Sequence, residues 1–176
     1  MRGAKRDENG PFLADELTRL GVEPARVLVV GDDPDELAAA LAEGLAADLC
    51  LVSGGLGPTH DDRTVELLAY AAGRALVSDP ALEREIGAVA RAVAERLGRP
   101  YADFEPGVRK QALLPAGGLS LGLAGTAPAV LLEHERGVAV ALPGPPRELQ
   151  RLWPAALAAE PVQRVLARGV PREHRI

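Results

Sequence analysis

Cysteine and aromatic side chains are nearly missing from this chain: its 176 residues include one cysteine, one tryptophan, two tyrosines and two phenylalanines. A lone cysteine, Cys50, rules out an internal disulfide and any multi-cysteine metal site. Within the apolar run Leu49-Cys50-Leu51-Val52 it reads as a small buried hydrophobe, not a reactive thiol. An aromatic content of 3% leaves the core to Leu, Val and Ala. It also argues against a single-stranded nucleic-acid platform, which needs stacking side chains. Lysine is scarce as well, with only Lys5 and Lys110 among 20 basic residues. Those residues are scattered and the net charge is −5, so no stripe tracks a phosphate backbone and no nucleic-acid partner is expected. No apolar run approaches the roughly 18 residues of a membrane span, and no signal-type apolar region opens the chain. A cytoplasmic protein without a membrane partner is the expectation.

What remains is a chain with a 47% hydrophobic fraction, long enough for one domain, 1–176, with a sizeable core. Leu13, Leu17 and Leu20 share a helical face over residues 11–20, with Asn9 as the expected cap and Gly21 as the stop. Residues 26–30, Arg-Val-Leu-Val-Val, read as a short apolar strand that turns out through Gly31-Asp32-Asp33-Pro34. Leu37, Leu41 and Leu45 then mark a second helix. Residues 48–53 read as a strand buried on both faces, as parallel strands are. Helices are expected over 62–72, 80–97 and 147–159, the second capped by Ser78 or Asp79. Residues 100–107 read as an irregular connection. Val130 to Leu132 and Val138 to Leu142 flank a turn and predict a β-hairpin with His134 near its tip. The alternation gives an α/β fold with a mostly parallel, helix-covered sheet and some antiparallel pairing.

The chemistry concentrates after the second strand, in Gly54-Gly55-Leu56-Gly57-Pro58-Thr59-His60-Asp61-Asp62. Glycines let the backbone turn sharply and approach a ligand. Successive N–H groups ahead of a helix form a site for phosphate oxygens. A plain tight turn is the simpler account of the glycines alone. Asp61 and Asp62 add to them: one can cap the helix while the other serves as a ligand for Mg²⁺, which takes one or two carboxylates plus substrate oxygens. Thr59 and Thr64 add hydroxyls. Asp32 and Asp33 sit at the end of the preceding strand, where ligands bind in open α/β sheets, with Asp33 the better candidate for a helix cap. Arg109-Lys110-Gln111-Ala112 is either a solvated strand edge or a charge clamp on a polyphosphate through Lys110. Gly125-Thr126-Ala127-Pro128 and Leu142-Pro143-Gly144-Pro145-Pro146-Arg147-Glu148 are rigid turns that would share one crevice with the glycine loop. No Ser-His-Asp or Cys-His arrangement supports nucleophilic catalysis.

Taken together and in order, six segments resemble the N-terminal domain of the competence/damage-inducible CinA family, related to the molybdopterin-binding MoaB/MogA fold. They are Asp7-Glu8-Asn9 with Phe12-Leu13-Ala14, Val30 to Asp33, Ser53 to Asp62 with Thr64, Arg109 to Ala112, Gly125 to Pro128, and Leu142 to Leu149. The resemblance implies a three-layer α/β/α domain that forms dimers, or trimers in the molybdopterin branch. It implies either metal-assisted hydrolysis of an ADP-ribose-type pyrophosphate or non-catalytic holding of a molybdopterin- or nucleotide-like ligand. In the hydrolytic case Gly54, Gly55, Gly57, Pro58, Thr59, Thr64, Gly125 and Thr126 would bind the phosphorylated ligand, and Pro143, Gly144 and Glu148 would shape the opposite wall. Asp32, Asp61 and Asp62 would hold Mg²⁺ or another divalent metal, and Asp62 and Lys110 would carry the chemistry. The sequence departs from the family pattern at three places. The family opens with a strand and a Gly-Asp-Glu-Leu-Leu-like turn that has no counterpart here, so a fold lacking that first strand is expected. Ala129 replaces a usual glycine, and residues 121–124 lack a usual asparagine. The C-terminal amidase domain is not expected.

Overall fold

The computed structural model describes residues 7–31 and 33–168. Seven α-helices occur among the described residues: α1 (Asn9–Arg19), α2 (Pro34–Gly44), α3 (Thr64–Ala71), α4 (Pro80–Leu97), α5 (Glu105–Gln111), α6 (Pro146–Ala158) and α7 (Glu160–Leu166). The strands are β1 (Leu49–Ser53), β2 (Leu76–Ser78), β3 (Leu113–Pro115), β4 (Leu119–Ala124), β5 (Ala127–Glu133) and β6 (Val138–Leu142).

Helix starts follow local chemistry. The Asp33 carboxylate accepts from the amides of Asp35 and Glu36, and the Asp79 carboxylate from those of Ala81 and Leu82. Pro34 and Pro80 follow, and a proline in the first turn sacrifices no helical hydrogen bond. At α1 the expected cap moves upstream. Asp7 accepts from the amides of Asn9 and Gly10, which leaves the Asn9 side chain free for another task.

Four strands form a sheet in the order β1-β6-β5-β4. β1 runs parallel to β6, whereas β5 is antiparallel to both β6 and β4. The β5–β6 pair is the expected hairpin. Along β6, Val138, Val140 and Leu142 face Leu13 and Leu17 of α1, Leu149, Leu152 and Trp153 of α6 and Val162 of α7. Ala139 faces Leu41 of α2, Leu45 just past its end, and Leu67 and Leu68 of α3. Ala141 faces Leu82 and Ile86 of α4 and Val108 of α5. Helices therefore cover both faces, giving three layers built from Leu, Val and Ala. Leu68, Ile86 and Leu149 are fully buried, each contributing about 1.5–3 kcal/mol of apolar transfer. The Trp153 indole N–H donates to a Glu16 carboxylate oxygen at 3.0 Å and ties α6 to α1.

Three expectations need correction. Residues 26–30 form no strand. They have no backbone hydrogen bond among the described residues, and Val27, Leu28 and Val29 are 57%, 49% and 58% exposed. An apolar run becomes a strand only beside a ladder partner, and the sole partner of β1 in the described sheet is β6. Residues 100–107 are not irregular: a 3-10 turn (Tyr101–Asp103) leads into α5, so Arg109-Lys110-Gln111 lies on a helix rather than a strand edge. The sequence reading also missed the β2–β3 pair, β4 and α7. Among the described residues no helix is long and apolar enough to cross a membrane.

Candidate functional site

Because β1 and β6 are parallel neighbours, with Ser53 opposite Leu142, their carboxyl ends release two loops side by side. That is where ligands enter open α/β sheets. A cleft of about 240 Å³ opens there, lined by Gly55, Leu56, Gly57 and Asp62 on one side and by Thr126, Ala127, Gly144, Pro145 and Glu148 on the other. The structure thus brings together six residues singled out from sequence: Gly55, Gly57, Asp62, Thr126, Gly144 and Glu148. A larger, shallower groove of about 500 Å³ between α2 and α3 is lined by none of them.

The glycine loop bends where two successive residues, Gly54 and Gly55, have φ of +98° and +68°, a region closed to most side chains. A Cβ on Gly55 would collide with the Thr64 hydroxyl, and one on Gly57 with the Asp62 carboxylate. These glycines therefore admit the protein's own polar groups. Thr64, buried at the start of α3, donates to the Gly54 carbonyl at 2.8 Å. Asp62 accepts from the Thr59 hydroxyl at 2.6 Å and from the Thr59 amide at 3.0 Å. Partial burial pushes the Asp62 carboxyl up, but the Thr59 hydroxyl and amide, the Gly57 amide and the Lys110 charge together hold it below the usual carboxylate range.

Helix α5 is the scaffold of this loop. Lys110 donates to the carbonyls of Thr59 and Asp62, the latter at 2.6 Å. Gln111, buried, donates to the Leu56 carbonyl at 2.9 Å. Gly107 makes room for the Pro58 ring, which packs against it. Burial lowers the Lys110 pKa, an effect partly offset by Asp62, Glu66 and Asp61.

Loop amides divide into two groups. The Gly54 amide bonds to the Leu142 carbonyl, the Thr59 amide to Asp62, and the Asp62 amide to the Thr59 carbonyl. The amides of Gly55 and Leu56, both lining the cleft, have no hydrogen-bond partner among the described residues. Opposite them the Glu148 carboxylate, in the first turn of α6 and beside Gly125, also has no hydrogen-bond or ion-pair partner among the described residues. Burial pushes its pKa above the usual glutamate range.

The other sequence candidates stand outside the cleft lining. Asp61 is exposed and pairs with His60 at 3.0 Å. Pro143 is buried beneath its turn. Asp32 lies outside the described residues. Among the described residues no cluster of three His, Cys, Asp or Glu side chains could hold a metal by itself. Sequence reasoning missed the clamp made by Gln111, although a lone glutamine in an otherwise charged helix end was a usable signal. It also missed Asn9, whose side chain donates to Ser53 Oγ and to the Gly144 carbonyl.

The sequence matches the family described as "Probable molybdopterin binding domain" over residues 1–161. It is 45% identical over 170 residues to a CinA-like protein of Mycolicibacterium vanbaalenii, covering 95% of this chain and 40% of that protein. The chain thus spans about two fifths of the length of the curated relatives it matches. Among solved structures, the CinA protein of Thermoplasma acidophilum superposes with a TM-score of 0.72 at 33% identity, covering 88% of this chain and 87% of that one. The molybdopterin biosynthesis enzyme MoaB of Thermus thermophilus superposes with a TM-score of 0.58 at 24% identity, covering 97% of this chain and 90% of that one, which is a likeness of fold. This chain belongs to the family of molybdopterin-binding-type domains with the MoaB/MogA fold, and within it to the CinA-like proteins.

Proposed function

We propose that the cleft at the ends of β1 and β6 binds a phosphorylated small molecule, nucleotide-like or pterin-like, and that ADP-ribose is its test ligand. The observation that carries this reading is the pair of unpaired amides at Gly55 and Leu56 lining a cleft at the carboxyl ends of two parallel strands, where open α/β sheets take ligands. Those amides would take phosphate oxygens, with the Thr126 hydroxyl as a further donor. Lys110 keeps the loop in shape by holding its carbonyls.

The finer proposal is hydrolysis of the pyrophosphate, with water cleaving ADP-ribose to AMP and ribose 5-phosphate. A bare diphosphate would meet two carboxylates in the cleft, Asp62 and Glu148, and that repulsion asks for a counter-ion. Of the two adjacent aspartates only Asp62 lines the cleft, so it is the one that fits Mg²⁺ or another divalent cation shared with ligand oxygens. Bound there, the cation would screen phosphate charge and activate water. One observation favours a binding module without turnover: the Asp62 carboxylate is already engaged by both donors of Thr59. The reading carries with it a homodimer or homotrimer in the cytoplasm.

Titration calorimetry with ADP-ribose, with and without Mg²⁺, tests the binding claim, which an absence of heat would refute. Chromatography of the same mixture for AMP tests turnover. Binding without AMP selects the module; binding with AMP selects the hydrolase.

A further inference from the structure

The Asn9 side chain ties helix α1 to both strand ends that carry the walls of the cleft. The Asn9 amide nitrogen donates to Ser53 Oγ at 2.8 Å and to the Gly144 carbonyl at 2.7 Å. Ser53 is the last residue of β1, immediately before the glycine loop, and Gly144 lies two residues beyond the end of β6. One planar amide therefore spans the mouths of both parallel strands, across 44 and 135 positions of sequence.

We propose that Asn9 is a positioning residue that sets the separation of the two loops walling the cleft, and thereby its affinity for a phosphorylated ligand. The proposal rests on the binding reading above. The loops it joins are at close quarters, since a Cβ on Gly144 would stand only 3.4 Å from the Gly54 Cα. Movement of either loop by a fraction of an ångström would alter where the free amides of Gly55 and Leu56 stand. A strut also needs a firm base. Asp7 caps α1 at the Asn9 and Gly10 amides, and Leu13 and Leu17 anchor the helix in the core.

Asparagine suits the post because its NH₂ group carries two donors, which aspartate lacks. Its other end makes no bond: Asn9 Oδ1 is buried and without a partner among the described residues. A buried amide that served stability alone would satisfy both ends. The unbonded oxygen offsets part of what the two donated bonds contribute, so removing the amide should cost the fold little while loosening the cleft.

The test compares wild type, Asn9→Ala, Asn9→Asp and Ser53→Ala by ADP-ribose calorimetry, thermal unfolding and ligand-free amide NMR. Asn9→Ala is expected to weaken ADP-ribose binding by about tenfold, the cost of ordering the loops at the moment of binding. Its melting temperature should stay within roughly 3 °C of wild type. Asn9→Asp, which sets a carboxylate against the Gly144 carbonyl, should weaken binding further. Equal affinity of Asn9→Ala and wild type overturns the proposal, and so does a loss of affinity matched by a large loss of stability. Should Asn9→Ala fail to fold, Ser53→Ala decides, with an unchanged affinity counting against the strut. Wild type that binds no ADP-ribose refutes the binding reading instead. The strut is then judged by NMR alone: broadened or shifted Gly54, Gly55 and Gly144 amides in Asn9→Ala uphold it, and unchanged ones overturn it.

Discussion

At Asp62 one carboxylate answers to two demands. Its Oδ2 closes the loop by accepting from both the amide and the hydroxyl of Thr59, and the same group lines the cleft where a cation would sit. Because its folded-state pKa lies below the ordinary aspartate value, its stabilising effect is present above the unfolded pKa of about 3.9 and is lost as pH falls through the folded pKa. Asp62→Asn retains one acceptor oxygen, so it should lower unfolding stability at pH 7 by about 1 kcal/mol after allowance for solvent screening. The difference from wild type should shrink below about pH 4. Urea titrations at pH 7 and pH 3.5 check both statements, and a gap that widens in acid would contradict them. The sequence made Asp62 a candidate because two aspartates follow a glycine loop, but it could not show which of the pair turns inward. That choice depends on Gly57, whose missing Cβ leaves space for the Asp62 carboxylate.

Among the elements, α5 departs most from its sequence reading. Pro100, Pro106 and Gly107 interrupt any apolar periodicity, so residues 100–107 read as a loop and Lys110 as a clamp on ligand phosphate. In the fold Pro106 occupies the first turn of α5, where a missing N–H costs nothing, and Gly107 admits Pro58. Lys110 then holds loop carbonyls, an arrangement set by packing between distant segments and invisible to local pattern. Helices α2 and α4 were legible because an aspartate cap and a first-turn proline agree at each start, and α1 and α2 because their leucines recur on one face. Residues 26–30 misled for the opposite reason: a strand pattern is local, whereas its ladder partner is not. The α5 account predicts that Lys110→Met leaves the β5–β6 hairpin amides protected while the hydrogen-bonded amides of Thr59 and Asp62 exchange faster, by about tenfold for roughly 1.4 kcal/mol of lost loop stability. Hydrogen-exchange mass spectrometry reads both, and uniform acceleration across the chain would instead mean a global destabilisation.

Over the whole molecule, three layers of Leu, Val and Ala position a small cleft at the carboxyl ends of β1 and β6. The class of fold, the hairpin and the crevice shared by three turns were readable from alternating elements and Gly-Pro punctuation. Assembly was not readable from the residues and came from resemblance. The apolar segment at residues 27–29, half-exposed in a single chain, is the kind of surface that oligomers cover. Sedimentation equilibrium is therefore expected to give two or three times the 18.4 kDa chain mass, and a single-chain mass would remove oligomerisation from the account.

The central claim is that main-chain amides at the β1–α3 bend receive phosphate oxygen. Its most direct measurement is an amide NMR titration with ADP-ribose, with adenosine as the phosphate-free control. The account predicts that the Gly55 and Leu56 amide resonances shift with ADP-ribose and stay in place with adenosine. Binding that leaves those two resonances unmoved, or moves them equally with both compounds, would contradict it.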